Sequence, residues 1–390
     1  MRVLVVHNRY LQFGGEDTTF EQEVSLLRRN GHDVETLVFD NLQIVGLWGK
    51  IRTAASLFYN FNSRRRITAV LYRFEPDIIH VHNFFYVASP SIFYAARRRG
   101  TPVIVTLQNF RLICSGALLM RDAQVCELCV KSTFPISGIR YKCHRHSRAQ
   151  TAALTAVTAI HKVIGTWNNV VSHYIAVTEF TKGKFVNSSL AIVPDRISVK
   201  PNSTKDFGVG SERGSQFLYV GRLAVEKGID ALIRAFLNSD FELRVIGDGP
   251  LGPLVRHLAK SNSRISFLGL QRKEKVIEEL KRCKALVFPS VWYECLPLTI
   301  IEAFSTGTPV VISDIDNLNS IVTDGFDGVH FKTNDSDSLE GALKRLCRVL
   351  DEGVDLNGNA RKTYLEKYSE GRNYEQLLSI YEKVLRHGEQ

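Results

Sequence analysis

The chain has 390 residues, 44% of them hydrophobic, which favours two globular domains with a core in each. A membrane-spanning helix is not expected, because His161 and Lys162 interrupt the best apolar stretch, 151–165. Secretion is not expected either, because the N-terminal apolar run Val3–Val6 is too short for a signal peptide. We therefore expect a cytoplasmic protein. Residues 1–200 hold 25 lysines and arginines against 13 acidic residues, and such a basic half attracts phosphates of a substrate, a lipid or a nucleic acid.

Strand patterns alternate with helical patterns along the first half of the chain. A strand is predicted over 2–7, followed by the glycine loop at Gly14-Gly15 and by a helix that ends at Asn30-Gly31. Four further strands are predicted, at 34–39, 77–82, 102–107 and 174–178. This alternation predicts a parallel, doubly wound α/β sheet.

The pattern restarts after a polar linker at 203–216. Five strands separated by helices are predicted at 216–220, 243–246, 264–268, 285–288 and 309–313. We therefore predict a first Rossmann-like domain over 1–202 and a second over 203–369, with a C-terminal helix in 370–390 that packs back across the junction. Two facing domains of this kind bind ligands at the carboxyl ends of their strands, in the cleft between them.

Two glutamates, Glu294 and Glu302, flank a predicted helix start at Pro297 in WYECLPLTIIEAFSTGTPVV. The helix N-terminus offers free N–H groups to a phosphate, and the two carboxylates can accept hydrogen bonds from hydroxyls at the two ends of one elongated ligand, such as a nucleotide-sugar. Arg222 and Lys227, in GRLAVEKG after the first strand of this domain, supply cations for a diphosphate.

These motifs carry a family resemblance. GRLAVEKGID, VIGDGP, RISFLG and PSVWYECLPLTIIEAFSTGTPVV together resemble the C-terminal domain of the retaining, nucleotide-sugar-dependent glycosyltransferases of family 4, and FGGE, HVHN and TLQNF are similar to the first domain of that family. The resemblance covers nearly the whole chain. It implies the GT-B fold, with an acceptor-binding first domain, a donor-binding second domain and no cofactor required for catalysis.

The resemblance also implies residue roles. Arg222 and Lys227 would bind the donor diphosphate and stabilise it as it leaves, Glu294 would contact the donor sugar, and Glu302 would bind the ribose. The backbone around Leu296 and Leu298 would lie near the phosphate, and that around Leu268 and Gly269 near the base. Gly14 and Gly15 would let their loop approach the phosphate or the acceptor, although an ordinary turn explains them nearly as well.

Gln108 departs from the family pattern, which usually has histidine at this position. Glutamine cannot exchange protons, but its amide donates and accepts hydrogen bonds, and the leaving phosphate can take the proton of the acceptor. Two interpretations follow: Gln108 contacts the donor sugar in an active enzyme, or it marks an inactive one. His80 and His82 lie at a neighbouring strand end and are candidates to reach the cleft, with a purely structural role as the alternative.

Four cysteines fall within thirty residues: Cys114, Cys126, Cys129 and Cys143. A CxxC pair with two outlying cysteines suits a tetrahedral structural zinc, in which His144 or His146 could replace one ligand. The alternative is reduced thiols in a cytoplasmic loop. A catalytic metal is not expected, because this loop lacks the carboxylates that magnesium prefers.

Residues Leu47–Phe61 carry apolar side chains over about half of a helical circumference, and Lys50, Arg52 and Arg64–Arg66 flank them. Such a segment can lie in an anionic membrane surface, or it can pack on its own domain.

The sequence therefore predicts a retaining glycosyltransferase that moves a sugar from a nucleotide-diphosphate donor to a saccharide or lipid-linked saccharide, in envelope or exopolysaccharide synthesis. It would be cytoplasmic, with peripheral attachment to the inner face of the membrane as a further expectation. The alternatives are an epimerase or hydrolase of nucleotide-sugars on the same fold, and a catalytically silent scaffold that binds a nucleotide-sugar. Nucleic-acid binding is not expected, because no recognition motif accompanies the basic charge.

Overall fold

The structure is a computed structural model that describes residues 1–10, 14–41 and 56–388. It divides into two compact units, the first comprising 1–119, 127–201 and 373–390, and the second 120–126 and 202–372. The main change of unit, at 201/202, lies one residue from the predicted boundary. Of the predicted amphipathic segment Leu47–Phe61, residues 47–55 lie outside the described part of the chain.

The first unit is built on a six-stranded parallel sheet. Its strands are β1 (Arg2–Arg9), β2 (Asp33–Asp40), β3 (Ile78–Val81), β4 (Val103–Leu107) and, after the short antiparallel ribbon of β5 (Met120–Arg121) and β6 (Gln124–Val125), β7 (His173–Ala176) and β8 (Ile197–Val199). The strand order is β2-β1-β3-β4-β7-β8, and every pairing in it is parallel. The order changes direction between β1 and β3, which is where a doubly wound sheet opens a crevice for ligands.

The helices that the structure describes between β1 and β8 follow the strands of this unit in the expected alternation. They are α1 (Gly15–Arg29), α2 (Phe61–Phe74), α3 (Ser91–Arg99), α4 (Ile136–Arg140), α5 (Arg148–Val163), α6 (Thr166–Asn169) and α7 (Glu179–Val186). The apolar face predicted for α1 is buried, since Phe20, Val24 and Leu27 pack on the strand residues Val3 and Val5. Burial of this stripe stabilises the helix on the sheet, because isolated helices of this length are marginal in water.

The second unit repeats the plan. Its strands are β9 (Phe217–Val220), β10 (Leu243–Ile246), β11 (Ile265–Gly269), β12 (Leu286–Phe288), β13 (Val310–Ser313) and β14 (Gly328–Phe331). They pair in parallel in the order β11-β10-β9-β12-β13-β14, so the order changes direction between β9 and β12. The predicted fold class, two doubly wound α/β units, is confirmed.

The helices of the second unit are α8 (Ile229–Leu237), α9 (Gly252–Ser261), α10 (Lys273–Arg282), α11 (Leu298–Ser305), α12 (Asp316–Asn319), α13 (Ser336–Asp351) and α14 (Leu356–Thr363). A π-helical turn over Tyr364–Tyr368 leads into the last helix, α15 (Glu370–Gly388). From Asn373 onwards α15 belongs to the first unit, where Leu377, Ile380 and Tyr381 complete the core beside α1. None of the described helices is both long enough and apolar enough to cross a membrane.

Candidate active site

Glu294 lies in the loop after β12 of the second unit, where several donors hold its carboxylate. Its Oε1 accepts hydrogen bonds from Ser290 Oγ at 2.6 Å and from Trp292 Nε1 at 2.8 Å, and it also contacts the ammonium of Lys227. The carboxylate is buried, so these donors compensate the loss of water around its charge. Asn317 donates to the backbone carbonyl of Glu294 and ties the loop to α12. Three donors on one oxygen hold the carboxylate in one orientation.

Lys227 ends a 3₁₀ turn, Val225–Lys227, that follows β9. Its Nζ lies 5.4 Å from the ring of Trp292 and 5.6 Å from the ring of Phe288, within the range of cation–π attraction. The structure therefore brings Lys227 and Glu294 together at the carboxyl ends of β9 and β12, the two strands between which the order changes direction. The sequence placed both residues in one site without indicating that they touch.

Gly228 allows the turn that carries Lys227 to lie close to the chain after β12. Its φ is +67°, a left-handed conformation, and a Cβ at this position would lie 1.9 Å from the carbonyl oxygen of Pro289. Glycine is the residue that tolerates both the conformation and the close contact. The turn that carries Lys227 thereby packs directly on the chain end of β12.

We expect Gly228→Ala to destabilise the second unit by about 1–3 kcal/mol or more, from backbone strain together with the overlap with Pro289. Gly341→Ala is the matched control, because Gly341 is in helix α13 and a Cβ there would have nothing within 4 Å, so this change is expected to be neutral or stabilising. Urea unfolding of both variants measures the difference. Equal stability of the two variants would contradict the close packing at Pro289.

Arg222 is placed two residues after β9, with an exposed guanidinium that contacts Glu226. The arginine end of this pair is open to solvent, whereas the side chain of Glu226 is mostly buried. The guanidinium is therefore accessible to the oxygens of a phosphate. Arg222 is the most accessible cation of the predicted set.

Glu302 lies in α11 and is 3% exposed. Burial raises the pKa of Glu302, although the neighbouring ammonium of Lys273 acts in the opposite direction. Lys273, the first residue of α10, contacts Glu302 Oε1 and is itself about half exposed. Sequence reasoning missed Lys273, and the available signal was a lysine at the start of the helix that follows the Leu268-Gly269 strand end.

The remaining predicted donor contacts lie along loops of the same unit. Leu296 is buried just before Pro297, the residue that precedes α11, and Leu298 is the first residue of that helix. The free N–H groups of the first turn of α11 are therefore adjacent in sequence to Glu294, as a phosphate site at a helix N-terminus requires. Leu268 is near the end of β11, and its carbonyl accepts a hydrogen bond from Gln271 Nε2 at 2.5 Å.

Gly14 and Gly15 begin α1 at the carboxyl end of β1 in the first unit. Gly14 has an extended backbone and open space where a Cβ would be, so neither conformation nor packing inside the unit requires glycine there. Its N–H donates to Asp17 Oδ2 at 2.9 Å, and Asp17 Oδ1 is 2.9 Å from His7 Nε2. Gly14 is thus bonded to the first turn of α1 and has open space beside its Cα.

Gln108 directly follows β4 and is partly buried. The next residue, Asn109, donates from Nδ2 to Glu16 Oε1 at 2.8 Å and so joins the loop after β4 to the start of α1. Burial raises the pKa of Glu16. The second carboxylate oxygen of Glu16 is buried without a hydrogen-bond partner, and so are Nε and Nη1 of the nearby Arg111. Sequence reasoning missed Glu16, Asn109 and Arg111, whose positions after β1 and β4 were the available signal.

His80 and His82 are fully buried and bonded inside the first unit. His82 Nε2 and His80 Nδ1 lie 3.0 Å and 2.8 Å from Glu23 Oε1. Together with Glu23 they form the one group of possible metal ligands found among the described residues. The ammonium of Lys200, 2.5 Å from the other oxygen of Glu23, already supplies the cation that such a group would bind. The structure therefore supports the structural interpretation of both histidines.

All four predicted zinc ligands lie in the described part of the chain. Cys114, Cys129 and Cys143 belong to the first unit and Cys126 to the residues 120–126 grouped with the second. In the described part of the chain no three cysteine sulfurs approach one another closely enough to form a ligand group, so the structural zinc stays a prediction.

Comparisons with known proteins agree over almost the entire chain. Residues 203–363 match the family model described as glycosyl transferases group 1, and residues 14–202 match the glycosyl transferase 4-like domain. An uncharacterized glycosyltransferase of Methanocaldococcus jannaschii is 28% identical over 43% of this chain and 48% of its own length. A UDP-Gal:alpha-D-GlcNAc-diphosphoundecaprenol alpha-1,3-galactosyltransferase of Escherichia coli is 28% identical over 49% of this chain and 55% of its own.

Among solved structures, Anabaena HepE in complex with UDP aligns with a TM-score of 0.70 and 14% identity, over 98% of this chain and 100% of that chain. At this identity the likeness concerns the fold. The chain spans about half the length of the first curated relatives it matches.

Proposed function

Because the chain belongs to the group 1 glycosyl transferases and has the GT-B fold, we propose that it transfers a sugar, with retention of configuration, from a nucleotide-diphosphate-sugar to a saccharide or lipid-linked saccharide. The contact of Lys227 with Glu294 carries this proposal, because it sets an ammonium and a fixed carboxylate side by side where the strand order changes direction.

The ion pairs of the site suggest how a donor is bound. Lys227 contacts Glu294, Arg222 contacts Glu226, and Lys273 contacts Glu302, so each cation already has a carboxylate beside it. A nucleotide-sugar offers phosphate oxygens to the cations and hydroxyl donors to the carboxylates. Donor binding can therefore replace each internal pair by two ligand contacts, without leaving a buried charge unpaired.

Retention requires only that the leaving phosphate and the incoming hydroxyl share one face of the sugar. In this proposal Arg222, Lys227 and the N-terminus of α11 stabilise the charge that develops on the diphosphate, the largest electrostatic demand of the reaction. Glu294 orients the sugar, and Gln108 contributes hydrogen bonds but no proton transfer. No metal has a role in this scheme.

The expected measurement is a thermal-shift panel of UDP, GDP and ADP with their sugars. One donor at about 100 times its dissociation constant should stabilise the wild type by about 2.7 kcal/mol. Glu302→Ala should lose this shift, because the buried carboxylate proposed to bind the ribose is gone. Glu274→Ala, which removes an exposed carboxylate next to Lys273, is the matched control and should keep it.

The outcomes separate the candidate functions. Binding with sugar transfer supports the proposal, whereas release of free sugar or conversion to an epimer identifies a hydrolase or an epimerase. Binding without turnover identifies a silent scaffold, for which Gln108 is the motivating residue. A wild type that responds to no donor would overturn the donor site itself.

Envelope or exopolysaccharide synthesis is the setting we propose, supported by the Escherichia coli relative named for a diphosphoundecaprenol-linked substrate. We separately propose a structural zinc on Cys114, Cys126, Cys129 and Cys143, which takes no part in the reaction. Metal analysis after purification without chelators tests it, and a zinc content far below one equivalent would remove it.

A further inference from the structure

A group of exposed apolar side chains lies at the end of α5 in the first unit. Ile160, Val163 and Ile164 are 42%, 65% and 56% exposed, and their spacing of three and four residues puts them on one face of the helix end. Phe134 and Ile136, before and at the start of α4, are 53% and 70% exposed. Isolated exposed residues of this size are ordinary, but a contiguous group is typical of an interaction site.

Hydrogen bonds establish that these segments are neighbours. Lys162 Nζ donates to the Ser132 carbonyl oxygen at 3.4 Å, so the chain leading to Phe134 runs beside the last turn of α5. His161 Nε2 lies 3.0 Å from the Phe58 carbonyl oxygen, which brings the start of α2 to the same helix end. There Phe61, the first residue of α2, is 72% exposed. We call these six apolar residues the α5 surface: Phe61, Phe134, Ile136, Ile160, Val163 and Ile164.

The stretch 128–164, which carries five of the six residues of the α5 surface, has charged side chains of one sign. Residues 128–164 contain no aspartate or glutamate, although acidic residues make up 40 of the 390 in the chain. The same stretch contains six cationic side chains: Lys131, Arg140, Lys142, Arg145, Arg148 and Lys162. All but Lys162 are exposed, and Arg65 adds a further exposed cation next to Phe61 in α2.

We propose that the α5 surface docks this chain on an anionic lipid bilayer. Large apolar side chains can enter the boundary between headgroups and acyl chains, while surrounding lysines and arginines meet lipid phosphates. The absence of acidic residues from 128–164 matters as much as the cations, because a single carboxylate at this depth would be repelled by the headgroups.

The test is co-sedimentation of the full chain with vesicles of phosphatidylcholine, alone and mixed with phosphatidylglycerol. The wild type should sediment with the mixed vesicles and remain in solution with the neutral ones. Phe134→Ser with Ile136→Ser, and separately Lys131→Glu with Arg140→Glu, should each reduce partitioning by at least about tenfold. The matched controls are Leu270→Ser, at an 80% exposed leucine, and Lys260→Glu, at an exposed lysine, both in the second unit; neither should change partitioning.

Three results would overturn the proposal. Either the wild type does not sediment with anionic vesicles, or the surface variants sediment as well as the wild type, or the control variants lose as much partitioning as the surface variants. Light scattering identifies the remaining occupant, since a dimer that becomes a monomer in Phe134→Ser with Ile136→Ser would assign the surface to a second copy of the chain. The donor thermal shift is measured on the same samples. The substituted residues and the proposed donor-site residues belong to different units. A variant that loses lipid binding but keeps the donor thermal shift therefore tests the α5 surface alone and does not bear on the proposed activity.

Discussion

Replacing Lys200 by methionine is expected to lower the free energy of unfolding by about 3–5 kcal/mol, the loss typical of removing one partner from a buried ion pair. Lys200 is 2% exposed, and its Nζ lies 2.5 Å from Glu23 Oε2 and 3.3 Å from Asn373 Oδ1. Methionine fills a similar volume but leaves the carboxylate of Glu23 buried without its ammonium. The loss therefore comes from an uncompensated charge and not from a cavity.

The network around Glu23 links three parts of the first unit. Glu23 belongs to α1, His80 and His82 lie at the end of β3, and Tyr381 comes from α15 and places its hydroxyl 2.8 Å from His80 Nδ1. Burial alone would raise the pKa of Glu23, but Lys200 and the two histidines hold it well below its usual value. Glu23 is therefore charged in the folded chain, and its charge connects the sheet to the C-terminal helix.

The pH dependence of the loss has a definite sign. Since the pKa of Glu23 is lower in the folded state than in the unfolded state, its contribution is complete above the ordinary glutamate pKa and disappears as the pH falls through the depressed value. Without Lys200 that depression is reduced. The difference between the wild type and Lys200→Met should be largest near neutral pH and should shrink on acidification.

Urea unfolding at neutral and mildly acidic pH measures this difference. Arg9→Met is the matched control, because it removes an exposed cation that pairs at 3.3 Å with Glu21 on the same helix as Glu23, and it should cost less than about 1 kcal/mol. Adding Glu23→Gln to Lys200→Met should recover part of the stability, since the unpaired charge is then removed. A Lys200→Met variant as stable as Arg9→Met would contradict the role assigned to the pair.

The sequence was informative where chemistry and secondary structure are encoded locally. Arg222, Lys227, Glu294 and Glu302 each follow a strand or open a helix within a few residues, so their motifs indicated both the elements and the edge of the sheet. The strands β8 and β14 were missed: each lies at the edge of its sheet, and Ser198 and His330 interrupt apolar runs of only three and four residues.

Contacts between distant residues could not be predicted in the same way. His80 and His82 looked like candidates for the cleft, but their environment is set by Lys200 and Tyr381, which lie far along the chain. The pairing of Lys273 with Glu302 is hidden for the same reason, since nothing near either residue specifies the other. Residue types and strand ends predict which groups are present at an edge, whereas packing decides which of them meet.

The second large effect is expected at the proposed donor site, where Lys227→Met should lower the rate of nucleoside diphosphate release by about 10²–10³-fold, the usual loss when one fixed charge-stabilising donor is removed. The ammonium is held by Glu294 and by the rings of Trp292 and Phe288, so it does not have to be reorganised as charge develops on the leaving group. Methionine retains the length and the apolar contacts of the side chain and removes the charge.

The fold should survive this change, because Glu294 Oε1 keeps its hydrogen bonds from Ser290 and Trp292. Lys344→Met is the matched control, since Lys344 pairs with Glu340 on the surface of α13 and its substitution should have no effect on rate.

The rate is measured with the donor identified by thermal shift, together with donor affinity. A fall in the maximal rate with donor affinity changed much less would assign Lys227 to the leaving group, because the diphosphate carries more charge in the transition state than in the bound donor. An equal loss in affinity and none in the maximal rate would assign it to ground-state binding, and a rate within about threefold of the wild type would remove Lys227 from the catalytic set.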